Sequence, residues 1–178
     1  VEIVRAKQLA SATAITYELN AWYRTASEEK KDAFLSWLVK HSADLSAIIP
    51  TLKLFKVGES MCAANELTIE SGKFVCTEAI LPIKDIVKKL GFSCSEIIKS
   101  DSNLSTFAPI QSSKKVFEAI SSADSLSTLS TEEKILLVKY LALLDNIGEA
   151  AISSMPMFKN LNGEICRMDE MMPYTQDA

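Results

Sequence analysis

Histidine occurs once in this chain, at His41, and arginine three times, at Arg5, Arg24 and Arg167. With one imidazole, any Ser-His-Asp or Cys-His catalytic arrangement would have to run through His41. That residue follows an expected helix end, where a cation suits the dipole, and no G-x-S-x-G elbow accompanies it. Glycine is sparse as well. Gly58, Gly72, Gly91, Gly148 and Gly163 are never closer than 14 residues. Phosphate cradles need clustered glycines so that backbone N–H groups can approach the anion; neither a P-loop nor a dinucleotide fingerprint exists. The four cysteines, Cys62, Cys76, Cys94 and Cys166, form no C-x-x-C pair, and a zinc site would have to gather remote ligands. They read as thiols in a reducing cytosol. Long apolar runs are missing too. Ile135-Leu136-Leu137-Val138 is interrupted at Lys139 and resumes through Leu144, far short of the roughly 18 residues of a membrane span. The expectations are no catalytic residue, no cofactor, no metal and no membrane.

What is present is an ordinary globular composition over 178 residues, 48% apolar and 24% charged, enough to bury a substantial core. The formal charge is −4. Residues 1–89 carry 12 basic and 11 acidic groups, and residues 90–178 carry 7 and 12. Binding to a nucleic-acid backbone needs a concentrated positive patch, and neither half supplies one. Five prolines and five glycines favour long ordered elements over loops. The start, Val1-Glu2-Ile3-Val4-Arg5, has no initiator Met and no signal-peptide pattern. The chain is accordingly expected to be a fragment of a larger cytoplasmic protein.

Helical spacing of Ile3, Leu9, Ile15, Leu19 and Trp22 predicts a helix over 2–24. Thr25 and Glu28 fit a capping box for a second helix to about Lys40, with Ala33, Phe34, Trp37 and Leu38 on its apolar face. A short helix over 44–49 would end at Pro50. The period then changes. Leu52 to Val57 alternates, Gly58-Glu59 turns, and Ser60 to Ala64 returns, which predicts a β-hairpin over about 52–64. Asn65 would cap a short turn, and Lys73–Thr77 reads as another strand. Pro82 opens a helix with Ile83, Ile86, Val87 and Leu90 on one face and Gly91 as its left-handed stop. A further helix is expected at 113–122. Ser130 and Glu133 form a second capping box for a helix to Leu144, apolar nearly all round and expected at the centre of the core. Another short helix covers 147–152. Asn162-Gly163 signals a second hairpin, over about 156–167; residues after Met172 read as a frayed end. The class is α+β, predominantly α-helical with two short hairpins. It forms one module over 1–178, with candidate sub-units 1–91 and 92–178.

The acidic pairs Glu28-Glu29, Glu132-Glu133 and Asp169-Glu170 sit where first helical turns are expected, where the dipole favours them. Nothing nearby suggests the crowding or burial that raises a catalytic carboxyl. Met155, Met157, Met168, Met171 and Met172 concentrate late in the chain. Packed under the hairpin they would be core; exposed together they would form an adaptable docking patch.

The two hairpins echo one another. The first reads Phe55-Lys56, Gly58-Glu59, Cys62, Glu66-Leu67; the second reads Phe158-Lys159, Gly163-Glu164, Cys166, Glu170-Met171. Each follows a proline, Pro50 or Pro156, and a helix, as a repeated helix–hairpin unit would. The order LFKVGESMCAANEL, ILPIKDIVKKLGFSCSE, LSTEEKILLVKYLALLDNIGEAAISSMPMFKNLNGE, over about residues 50–170, resembles the regions outside the ATPase domain of large bacterial sacsin-like proteins. Those proteins carry a histidine-kinase-type (GHKL) ATP-binding domain and long α+β stretches with recurring hairpins. The resemblance implies a non-catalytic structural or interaction module whose partners are the remainder of the parent chain and other proteins. It carries over no catalytic residue, because the D-x-G-x-G pattern of that nucleotide site is absent here. The alternative is a small winged-helix-type nucleic-acid-binding regulator, on the order helix, helix, hairpin over 27–64; the acidic balance argues against it.

Overall fold

The computed structural model describes residues 13–171. Along them run helices α1 (Thr13–Thr25), α2 (Glu28–Lys40), α3 (Lys84–Lys89), α4 (Ser113–Ser121), α5 (Thr131–Leu141) and α6 (Glu149–Ser153). Six short strands pair two by two: β1 (Phe55–Val57) with β2 (Ser60–Cys62), β3 (Lys73–Phe74) with β4 (Ser93–Cys94), and β5 (Phe158–Lys159) with β6 (Ile165–Cys166). The class is α+β, mainly helical, with both expected hairpins in place. The first helix before Thr13 and the expected frayed end after Met172 lie outside the described residues.

The chain divides into two compact units. One extends to Ala79 and resumes over Ser93–Ile110; the other takes Ile80–Phe92 and resumes at Gln111. The chain thus crosses between the units three times, at 79/80, 92/93 and 110/111, whereas sub-units 1–91 and 92–178 would need a single crossing. The cause is the β3–β4 pair, which is parallel. Parallel neighbours need a crossover connection, and here most of the crossover, Ile80–Phe92 with α3 inside it, belongs to the second unit while both strands belong to the first.

In the first unit, α1 and α2 are joined by rings. Phe34 meets Trp22 edge-on at 5.4 Å between centroids and lies 6.0 Å from Tyr23, geometries that aromatic quadrupoles favour. Burial, and after it Glu28 and Asp32, push the Tyr23 phenol up to about 12. The α2 N-cap is Ser27, not Thr25, whose hydroxyl donates back to Ala21 O and Trp22 O and so closes α1. Leu35 and Leu38 form the buried stripe of α2; Ala33 points to solvent. The expected helix over 44–49 is a run of turns, and Pro50 sits inside a 3-10 turn, Ile49–Thr51, rather than ending a helix. The core joins Tyr23, Leu38, Leu45, Leu52, Leu54 and Phe55 with Leu67 and Val75. Gly58, at φ +59, opens the two-residue hairpin turn as glycine does without steric cost. The turn after β2 is Ala64–Glu66, and its cap is Glu66, which accepts from the Ala63 N–H at 2.7 Å; Asn65 plays no such part. The Ser-rich stretch is ordered by a 3-10 helix, Asn103–Phe107, that packs on α2, where Asn103 Nδ2 donates to Ser36 Oγ at 2.8 Å.

In the second unit, Pro82 lies in the first 3-10 turn, Leu81–Ile83, which runs into α3. Ile83, Ile86, Val87 and Leu90 are all buried. Gly91 has φ +94, and Phe92 N–H reaches back to Val87 O at 3.2 Å while Gly91 N–H donates to Lys88 O at 3.0 Å, a Schellman-type closure. The Ser130 box forms: Glu133 N–H donates to Ser130 Oγ at 3.2 Å and Ser130 N–H to Glu133 Oε2 at 2.9 Å. Glu133 also pairs with Lys89. The helix that follows is shorter and less buried than expected. α5 stops at Leu141 and buries only Leu137 and Leu141, packing on the Leu81–Ile83 turn. Ile135 and Leu136 stay 50% and 43% exposed, and Leu143 is 83% exposed. An all-apolar sequence does not place a helix at the centre when only one of its faces meets a neighbour. The short helix expected at 147–152 is α6, capped by Gly148.

Two predictions follow from this packing. Leu137→Ala should destabilise by about 2–5 kcal/mol, the cost of a core cavity, whereas Leu136→Ala one position earlier should cost less than about 1 kcal/mol; urea denaturation measures both. The second concerns acid. The Lys89 hydrogen bond, then the Ser130 N–H, hold Glu133 below the ordinary 4.5. A depressed carboxyl stabilises the fold above its unfolded pKa, and that contribution is lost as pH falls through the folded value. Glu133→Gln should thus be less stable than the parent near neutral pH, with the gap closing below about pH 4.5 in denaturation curves taken across that range.

Candidate interaction site

The second hairpin is built around Asn160. Its Oδ1 accepts from Asn162 N–H at 3.0 Å and Glu164 N–H at 2.9 Å, and its Nδ2 donates to Glu164 Oε2 at 2.8 Å. Such Asx bonding fixes a turn locally, and Gly163 supplies the positive φ, +81. The hairpin is tied to α5 by Lys134, whose Nζ lies 5.7 Å from the Phe158 ring centroid, within cation–π range. A 3-10 turn, Met168–Glu170, follows β6, and Arg167 N–H donates to Glu170 Oε2 at 3.0 Å. A groove along this surface is lined by Lys159, Leu161, Ile165, Cys166, Met168 and Met171. Leu161 is 95% exposed, and Ile165, Met168 and Met171 are also in water.

This corrects the methionine patch. Met155 and Met157, which precede the hairpin, are fully buried. Met168 and Met171 are exposed, and Met172 lies outside the described residues. Only part of the expected set is therefore surface, and Leu161 and Ile165, which the methionine count overlooks, complete it. Leu161 could have been found from its position beside Asn162-Gly163, since a tip residue has no sheet face to bury against. Ile165 carried no such signal.

The echo between the hairpins is structural. Phe55 stands opposite Cys62, and Phe158 opposite Cys166. In each, four residues after the cysteine, a glutamate bonds back to the backbone N–H at the start of a 3-10 turn. Their surroundings differ. Leu67, which ends the first motif, is 2% exposed, and Met171, which ends the second, is 48% exposed.

The residues considered for catalysis are occupied structurally. His41 caps α2 through its backbone, and its ring rests on Trp37 at 4.8 Å. Glu28 pairs with Lys31 at 2.7 Å. Glu132, held low by its own N–H and then by Ser130, and Glu133 belong to the α5 start; Asp169 and Glu170 belong to the turn after β6. Cys62 accepts weakly from Lys73 Nζ at 3.5 Å. Among the described residues no three His, Cys, Asp or Glu side chains are grouped to hold a metal ion, and no helix is long and apolar enough to cross a membrane. A smaller cleft brings Arg24 and Lys53 together beside Tyr17 and Met61; Asn20 Oδ1 there accepts from Lys53 N–H at 2.9 Å. Two cations do not make a phosphate-tracking stripe.

Comparison with models of known protein families, with curated proteins and with solved structures finds no match to this chain.

Cys166 is half-buried, whereas Cys62, Cys76 and Cys94 are buried. A thiol reagent should therefore label one cysteine per native chain and all four after denaturation, since access governs reaction. Cys166→Ser should abolish the native labelling, as mass spectrometry of intact protein would report.

Proposed function

We propose that this chain is a non-catalytic structural and interaction module of a larger, cytoplasmic, bacterial protein of the sacsin-like kind, with the ATP-binding domain elsewhere in that protein. One observation carries the reading: the same hairpin device is used twice, with a polar tip and a buried end at Leu67 in the first unit and with an apolar, exposed tip and trailing turn in the second. Contiguous exposed apolar side chains rimmed by polar ones are characteristic of contact surfaces. Leu161, Ile165, Met168 and Met171 are such a group, and the methionines among them adapt to a partner's shape. A small-molecule site needs a concavity with convergent polar groups, and the polar groups here serve caps and turns. The sequence resemblance supplies the larger context, in which the partners are the remainder of the parent chain and other proteins.

The winged-helix alternative needs helix, helix, hairpin over 27–64, and the second of those helices, 44–49, is a run of turns. Its other weakness is charge: Glu28, Glu29 and Asp32 stand beside Lys30 and Lys31 on the helix that would have to approach phosphates.

The test has two arms. Immunoblotting of the source cells should reveal a protein several times larger than 178 residues account for, and calorimetric titration of the isolated chain with ATP should be silent. A native protein of this chain's own size, or saturable ATP binding to it, would sink the proposal.

A further inference from the structure

β1 and β5 are equivalent strands with different neighbours. In the first hairpin, the outer edge of β1 is taken by an extended segment. Glu96 N–H donates to Lys56 O at 2.8 Å, Val57 and Ser95 form an antiparallel bridge, and Lys56 Nζ meets Glu96 Oε1 at 2.9 Å. In the second hairpin the corresponding lysine is Lys159. Asn160 N–H bonds Glu164 O, so Asn160 and Glu164 are a bonded pair. Antiparallel pairs alternate, and Lys159, opposite Ile165, is the next one. Its own N–H and C=O therefore point away from β6, as those of Lys56 point away from β2. Among the described residues, none donates to the Lys159 carbonyl and no carboxylate pairs with its ammonium. Side chain and backbone thus present, uncovered, the same two features that Glu96 satisfies in the first unit.

We infer that the outer edge of β5 accepts an added antiparallel strand from a partner, an extended segment with a small polar residue followed by an acidic one and then aliphatics. Ser95-Glu96-Ile97-Ile98 is the template within this chain. Strand addition supplies main-chain hydrogen bonds at the edge. Glu opposite Lys159 sets register and sign, and in the register of the template the first aliphatic residue falls opposite Phe158, the counterpart of Phe55. An exposed edge is otherwise a liability that proteins cover or charge, and one lysine is the only such guard on β5. The inference names the chemistry of the contact that the module reading requires; it rests on that reading only for where the partner strand comes from.

The probe is a synthetic peptide with the sequence Phe92–Lys99, added under reducing conditions to the full ¹⁵N-labelled chain. Saturable chemical-shift changes centred on Lys159 and Asn160 are expected. Lys159→Glu should weaken binding about threefold to tenfold. A peptide carrying Glu96→Lys should bind the parent equally poorly and recover on the Lys159→Glu chain, which separates a charge contact from damage to the hairpin. The inference is overturned by an unresponsive β5 at the highest soluble peptide concentration, or by binding indifferent to the charge swap. Hairpin shifts that appear with protein concentration alone, together with dimer in sedimentation, would also overturn it and make a second copy the occupant. None of these outcomes bears on the size of the native protein, so the module reading stands or falls separately.

Discussion

Ser95 carries a hydroxyl shut away from water, 1% exposed, and its bonds hold the first unit's strands together. Its Oγ accepts from Cys76 N–H at 2.8 Å and donates to Glu96 O at 2.9 Å. Its own N–H donates to Phe74 O at 3.0 Å. On its other side the segment bridges to Val57 of the hairpin. Strands of two or three residues are too short to persist as isolated pairs. Joined through Ser95, the hairpin and the parallel pair become one sheet-like seam with Phe55, Cys62 and Val75 against the unit's core. A buried hydroxyl left without partners costs about 1–3 kcal/mol, so the same residue that closes the seam penalises any other register.

That seam also explains the connectivity. The two parallel strands are separated by a crossover whose helix belongs to the other unit, so neither unit is a continuous stretch of chain. Three crossings make the division illegible to any argument that looks for a composition shift or a flexible linker. Local signals are correct on both sides of each crossing, Pro82 and Gly91 among them, and still do not say to which unit an element belongs.

The hairpins show the same limit from another side. Their spacing of Phe, Cys and Glu produces the same register and the same backward cap in both, because these are short-range hydrogen bonds that a turn of defined length can satisfy alone. What covers each hairpin is a long-range matter. Leu67 is buried and Met171 is not, although the two end equivalent motifs, since burial depends on whether another segment arrives at that face. α5 repeats the lesson: Ile135, Leu136 and Leu137 are equally apolar, but of the three only Leu137 is buried.

By itself, then, the amino-acid sequence determined most of the longer helices, the stop at Gly91, both hairpins, the Ser130–Glu133 box and the lack of clustered glycines. Each depends on contacts within a few residues along the chain, where propensity, capping and turn chemistry act. The tertiary structure alone decided the parallel pair, the division into units, the inward turn of Met155 and Met157, the exposure of Leu161 and Ile165, and the edge that Lys159 leaves open. These depend on which distant segments meet, and hydrophobicity, which has no direction, cannot name a residue's neighbour.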